Sequence, residues 1–259
     1  MSTTVSQFEI DATGTHYSEL NRRIRDAVEC GATEIVLRNV FGRRYIGTNL
    51  HGTAGPDDLS RLKIHIYGTP GNDLGAFLDG PTIIVHGNAM DGTGNTMSKG
   101  RIVIHGRAGD ITGLSARGGE IFVRDGVGYR TGVHMKEYSD LGPVIVVGTS
   151  SQDFLGEYMA GGVIILLGLN TAPGKKHTCR HVCNGMHGGL VFVRGELPES
   201  QIGRGVGKVK PSDEDKSLLS NYIEQYGNLF DIDVSCVEPS QFIKLVPLTT
   251  RPYKQLYAY

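Results

Sequence analysis

The runs IHIYG at 64–68, IIVHG at 83–87 and IVIHG at 102–106 decide how this chain folds. Each is a short β-branched stretch closed by a glycine. The closing glycines recur at a fixed interval (87 − 68 = 19 and 106 − 87 = 19). The next position in that register is Asp125, beside Gly126, after the run IFVRDG at 121–126. Further copies are VIVVG at 144–148, IILLG at 164–168 and VFVRG at 191–195, and a weaker first copy is IVLRNVFG at 35–42. Later intervals widen to 23, 20 and 27 residues (148 − 125, 168 − 148, 195 − 168). Between these runs lie glycine-rich turns: GAFLDG at 75–80, NTMSKG at 95–100, LSARGG at 114–119, GEYMAGG at 156–162 and GMHGG at 185–189.

A repeat of nineteen residues has no room for a strand plus a crossover helix, which excludes βαβ units. Short strands with frequent turns also suit an antiparallel sandwich or barrel. The constant offset of the glycines favours a different solution, in which equivalent units stack in register and their strands run parallel. The expected fold is mainly β: a single-stranded right-handed parallel β-helix, or solenoid, with short flanking helices. Residues 33–207 would form seven or eight coils. Two inward ladders are expected, one of Ile64, Ile83, Ile102, Ile121, Val144 and Ile164, the other of Ile66, Val85, Ile104, Val123, Val146 and Leu166. Residues 1–32 would be an N-terminal segment with a capping helix at 16–30, with Ser18 as N-cap and Gly31 as stop. Residues 208–259 would supply a helix at 212–227, capped by Ser212 and ended by Gly227, then the strand FIKLVP at 242–247 and a docking tail.

Composition narrows the function classes. The chain has 259 residues, and its 26 Lys+Arg nearly balance its 27 Asp+Glu. That balance offers no electrostatic drive toward nucleic acid or an anionic membrane. No apolar run approaches the ~20 residues of a membrane span. The N-terminus lacks a basic head and an apolar core, so no signal peptide is expected. A cytoplasmic protein with free thiols at Cys30, Cys179, Cys183 and Cys236 follows.

Two segments concentrate chemistry. HTCRHVCNGMH at 177–187 holds His177, Cys179, His181, Cys183 and His187. His177, Cys179, His181 and Cys183 are the residue types of a zinc or other transition-metal site. The competing reading is an insertion loop on the flank of the longest coil, and it is favoured because no second Cys/His pair matches. GVHMKEY at 132–138 places His134, Lys136, Glu137 and Tyr138 after a glycine turn. These four, with Met186 and His187, are the candidate partner surface. The widened coils 126–142 and 169–189 are where such a surface is expected. The G-x-G fragments are not dinucleotide fingerprints, since none links a strand to a helix inside a βαβ unit. No nucleophile elbow appears and Ser2, not Cys, follows Met1, so no catalytic residue is assigned.

GVGYRTGVHMKEY at 126–138, FLGEYMAGG at 154–162, NGMHGGLVFVRG at 184–195 and FIKLVP with RPYK at 242–254 resemble a known family. It is the GXGXG β-helix domain at the C-terminus of the glutamate synthase large subunit, here as a stand-alone chain. The resemblance spans about residues 16–254. It implies a non-catalytic structural subunit of an amidotransferase–FMN oxidoreductase complex in nitrogen metabolism. The implied partners are a glutaminase-like amidotransferase subunit and an FMN-binding synthase subunit, with a homo-oligomer also open. FMN and iron–sulfur clusters would sit on those partners, with no cofactor on this chain. The resemblance also implies an alternative, a subunit of a related complex such as N-methylglutamate synthase or formylmethanofuran dehydrogenase, whose stand-alone subunits are similar to this fold. The alternative from another class is a metal-binding enzyme or sensor that uses the loop 177–187.

Overall fold

Within each repeat, alternation sorts side chains to two faces of a strand. The computed structural model describes residues 7–48, 50, 59–138, 142–172 and 175–249. Among them, eleven strands form one sheet: β1 (Gln7–Asp11), β2 (Glu34–Phe41), β3 (Lys63–Thr69), β4 (Thr82–His86), β5 (Arg101–Ile104), β6 (Glu120–Val123), β7 (Val144–Val147), β8 (Ala160–Leu166), β9 (Gly188–Arg194), β10 (Val206–Val209) and β11 (Phe242–Pro247). Two α-helices flank it, α1 (Tyr17–Glu29) and α2 (Asp213–Phe230). Strands β1 to β9 pair in chain order and all parallel. The antiparallel alternative is therefore confined to the end, where β11 pairs with β9 and β10 with β11. The ends of the chain, residues 1–6 and 250–259, lie outside the described residues, so RPYK and the docking tail do as well.

Register follows the nineteen-residue repeat: Ile64 opposes Ile83, Ile83 opposes Ile102, and Ile102 opposes Ile121. The two ladders then depart from expectation by one residue. Ile121 opposes Ile145, not Val144, and Val123 opposes Val147, not Val146. A one-residue slip turns every side chain to the other face. In VIVV at 144–147 all four side chains are apolar and all four are buried, so alternation carries no signal there. Both faces of this strand are covered, as is usual in parallel sheets.

The inner face joins Ile35, Ile64, Ile83, Ile102, Ile121, Ile145, Ile164 and Val191 to the apolar side of α1, namely Leu20, Ile24, Ala27 and Val28. The outer face of β5 to β9 presents Val103, Phe122, Val144, Val146, Ile165, Leu167 and Phe192 to Leu219, Ile223, Tyr226 and Phe230 of α2. Tyr226 Oη donates to the main-chain oxygen of Arg124 at 2.5 Å, which satisfies the polar end of a buried ring. Burial raises the Tyr226 phenol well above its ordinary value.

The helix limits differ in detail from the sequence signals. His16, not Ser18, caps α1, and its ring accepts from Ser18 N at 3.4 Å. Ser212 caps α2 through a reciprocal capping box with Asp215. Gly227 does not end α2, which continues to Phe230 before Asp231 takes a left-handed conformation at φ 53°. Gly227 serves packing instead. A Cβ there would lie 2.8 Å from Val234 Cγ2, so the glycine lets the following segment close over the helix. No helix among the described residues is long and apolar enough to cross a membrane.

Candidate functional site: an aromatic and imidazole surface on the glycine segments

The glycine-rich turns fold as five-residue segments at 73–77, 92–96, 111–115, 130–134, 154–158 and 181–185. In every one the first, third and fifth residues have positive φ. Middle N–H groups donate to the preceding segment: Gly94 to Leu74 O at 2.8 Å, Gly113 to Thr93 O at 2.7 Å and Gly132 to Thr112 O at 2.8 Å. The fifth N–H donates into the next segment, as His134 does to Glu157 O at 3.1 Å, and the first donates to the residue just before it, as Arg130 does to Asp153 O at 3.0 Å. Each segment is thus hydrogen-bonded to both neighbours, and buried main-chain groups find partners without a strand. Thr93, Thr112 and Thr131 are fully buried between the glycines.

Positive φ at a bulky residue is uncommon and costs energy. Here it recurs in all six segments, so it belongs to the repeat. What changes along the repeat is the choice of side chain. Segments 92–96 and 111–115 end in Thr96 and Ser115. From 130 onward the positions carry Arg130, His134, Phe154, Tyr158 and His181.

These side chains pair across neighbouring segments. His134 stacks on Tyr158, with centroids 5.3 Å apart and planes 11° apart. Phe154 stacks on His181 at 4.9 Å and 14°. The Arg130 guanidinium lies 4.8 Å from the Phe154 centroid and pairs with Glu157, whose side chain is only 5 % exposed. Gly185 continues the His134–Tyr158 column, and a Cβ there would lie 2.5 Å from the Tyr158 ring. Its absence leaves space for that ring to lie flat. Tyr158 remains 44 % exposed, and Tyr129 and Tyr138 are similarly open. The result is an exposed field of flat, amphipathic side chains, one guanidinium held over a ring by a buried carboxylate. Such groups suit protein recognition, because they bury much area at little rotamer cost.

The expected partner residues distribute unevenly over this field. His134 is exposed on it, Tyr138 is exposed four residues on, and Lys136 is half-buried. Glu137 Oε1 accepts from Gly162 N at 2.9 Å, which ties its segment to β8. His187 is half-buried and its Nδ1 lies 3.3 Å from Gly185 O. Met186 is a correction: at 4 % exposure it packs in the inner core, since the turn after Cys183 directs it inward. Arg130, Phe154, Glu157 and Tyr158 escaped the sequence reading. The signal that would have found them is the five-residue window around the repeating middle glycine.

The loop 177–187 is likewise not a flank insertion. Residues 181–185 form the last of the glycine segments, and Cys183 N donates to Leu155 O at 2.7 Å. Cys179 and Cys183 are buried in the inner core. Burial pushes the Cys179 thiol up to about 11 and raises the Cys183 thiol further still. His177 is buried, with Nε2 2.8 Å from Arg194 O. His181 turns outward onto Phe154. Two of the four candidate ligands thus face the core, one is bonded to a carbonyl and one lies on the surface. Among the described residues, no group of three or more His, Cys, Asp or Glu is placed to hold a metal ion.

Residues 17–247 match the family model described as the GXGXG motif. An uncharacterized protein of Methanocaldococcus jannaschii is 46% identical over 255 residues, covering 96% of this chain and 95% of that one. With its repeating glycine segments and a match over nearly its whole length, the chain belongs to the GXGXG motif family.

Proposed function

We propose that this chain is a structural subunit on which the catalytic chains of a glutamate synthase-like amidotransferase–FMN oxidoreductase are assembled in the cytoplasm. The finer fold belongs to the same reading: strands and glycine segments are two walls of one right-handed parallel β-helix. The hydrogen bonds between successive glycine segments support it, since they repeat the order in which the strands pair. Membership of the GXGXG family supports the glutamate synthase connection.

The observation that carries the assembly role is the exposed field of Arg130, His134, Phe154, Tyr158 and His181. These side chains are held in place by stacking and by an ion pair to buried Glu157. A preorganised aromatic surface of this kind loses little entropy when covered. One partner would be a glutaminase-like chain that releases ammonia. The other would be a synthase chain that carries FMN and iron–sulfur clusters. This chain offers no cysteine set for such a cluster, because Cys179 and Cys183 are sequestered in the core and Cys30 and Cys236 are exposed in separate segments, one just after α1 and the other after α2.

The test is affinity capture of the tagged full chain from its native cells. The expected result is co-purification of an amidotransferase and a chain with flavin absorbance. Recovery of neither overturns the proposal.

A further inference from the structure

His86 and His105 each stand just before a closing glycine, one repeat apart. His65 lies two residues before Tyr67, the residue that opposes His86 in the β3–β4 pair. Ile64, Ile66, Ile83 and Val85 fill the inner core, so His65, Tyr67 and His86 share the outer face. On the outer face of β4, Ile84 packs at the edge of the cluster covered by α2. The three histidines are partly exposed at the border of that cluster.

Their rings are organised. His65 Nδ1 lies 3.1 Å from His86 Nε2, with the two planes 9° apart. Tyr67 stacks on His86 at 4.3 Å, and His86 on His105 at 5.4 Å. His105 is closed off by the edge of Phe230 at 5.1 Å. Arg38 lies over the opposite part of this array, 4.1 Å from the Tyr67 centroid, and its charge is met by Glu9 at 3.3 Å.

Two imidazole nitrogens on one tetrahedral ion, at metal–nitrogen distances of about 2.0–2.1 Å, stand roughly 3.3 Å apart. The His65–His86 pair holds nearly that separation. In the free protein one ring donates its N–H to the other ring's nitrogen, and that proton moves to the donor ring's second nitrogen when a metal ion takes its place. A borderline-soft divalent ion competes for the same two lone pairs. We propose that His65 Nδ1 and His86 Nε2 form a two-histidine chelate for a divalent transition-metal ion, Zn²⁺ or Cu²⁺ in chemistry, with solvent in the remaining positions. His105 and Tyr67 are positioning residues that keep the His86 ring in its plane by stacking. This site is independent of the loop 177–187 and of the assembly role.

The test is equilibrium dialysis of Zn²⁺ with the full chain at neutral pH, paired with Cu²⁺ electron paramagnetic resonance. Wild type binds one saturable equivalent, and its Cu²⁺ spectrum shows two coupled nitrogens. His65→Gln and His86→Gln each weaken Zn²⁺ at least tenfold and leave a single nitrogen, whereas His187→Gln changes nothing. His86→Phe preserves the stacked array and still loses the ion, which separates ligation from folding. Equal binding in wild type and in His65→Gln, or no saturable binding in wild type, overturns the proposal.

Discussion

A Cβ added to Gly132 would lie 2.4 Å from Ile164 Cδ1, the side chain that β8 contributes to the inner ladder. The same relationship joins Gly94 to Ile121 at 2.5 Å and Gly113 to Ile145 at 2.4 Å. In these three segments the middle glycine and the isoleucine of a later strand are therefore one packing unit. At Gly156 the nearest atoms are 3.4 Å or more away, because β9 supplies the shorter Val191.

Gly132→Ala and Gly156→Ala separate backbone strain from crowding. Both residues have positive φ, +73° and +67°. Alanine at either costs about 1–2 kcal/mol for the left-handed conformation. At Gly132, overpacking against Ile164 adds about 1–3 kcal/mol. Chemical denaturation is expected to rank Gly132→Ala clearly below Gly156→Ala. Equal losses would mean that the Ile164 contact relaxes freely.

Acid should loosen α2 from the sheet. Lys244 of β11 reaches Asp215 in the first turn of α2 at 2.7 Å, and both are largely buried. Burial alone would raise the Asp215 carboxyl, but hydrogen bonds from Lys244 and Ser212 outweigh it and hold the group below its ordinary value. A carboxyl with a depressed folded pKa contributes stability above its unfolded pKa, near 3.9, and loses it as pH falls through the folded one. Stability is therefore expected to drop below about pH 4. In Asp215→Asn that part of the acid limb should be absent, as thermal melts across pH would show.

Lys244→Met probes the same pair at neutral pH. It leaves the Asp215 carboxylate buried without its cation, a change that typically costs about 3–5 kcal/mol. The double variant Asp215→Asn with Lys244→Met should recover part of that loss. A double-mutant cycle showing no coupling would remove the pair from the account of how α2 docks.

Tyr158→Asn tests the aromatic field. Asparagine tolerates positive φ, so the fold should be kept while the stacked ring is lost. Truncating an aromatic at the centre of an interface typically costs about 2 kcal/mol or more of binding. The variant should capture markedly less of the partner chains at an unchanged melting temperature. Undiminished capture would place the interface elsewhere.

The cysteines should fall into two pairs. Cys30 and Cys236 are exposed, and Cys179 and Cys183 are buried with raised thiol pKa values. The thiolate is the reactive form, so burial and a raised pKa both suppress labelling. Mass spectrometry after brief alkylation should find two modified sites in the native chain and four after denaturation.

The sequence by itself determined the parallel pairing of β3 to β6, because Gly68, Gly87 and Gly106 recur at a constant interval and equivalent units pair in register. It also determined both helices, through amphipathic spacing and the Ser212 cap. Where the local pattern was degenerate, only the tertiary structure decided. VIVV at 144–147 is apolar at all four positions, so the face each residue takes depends on α2 lying over one side. Gly227 reads locally as a stop, yet its missing Cβ serves the close approach of Val234. The residues 177–187 look like a ligand cluster on paper. In the fold, Cys179 and Cys183 continue the core and His181 continues the aromatic surface, since the left-handed turns at 181 and 183 break the two-residue alternation of a strand. The pairing of His134 with Tyr158 and of His65 with His86 joins residues more than twenty apart in the chain, and no local pattern contains them.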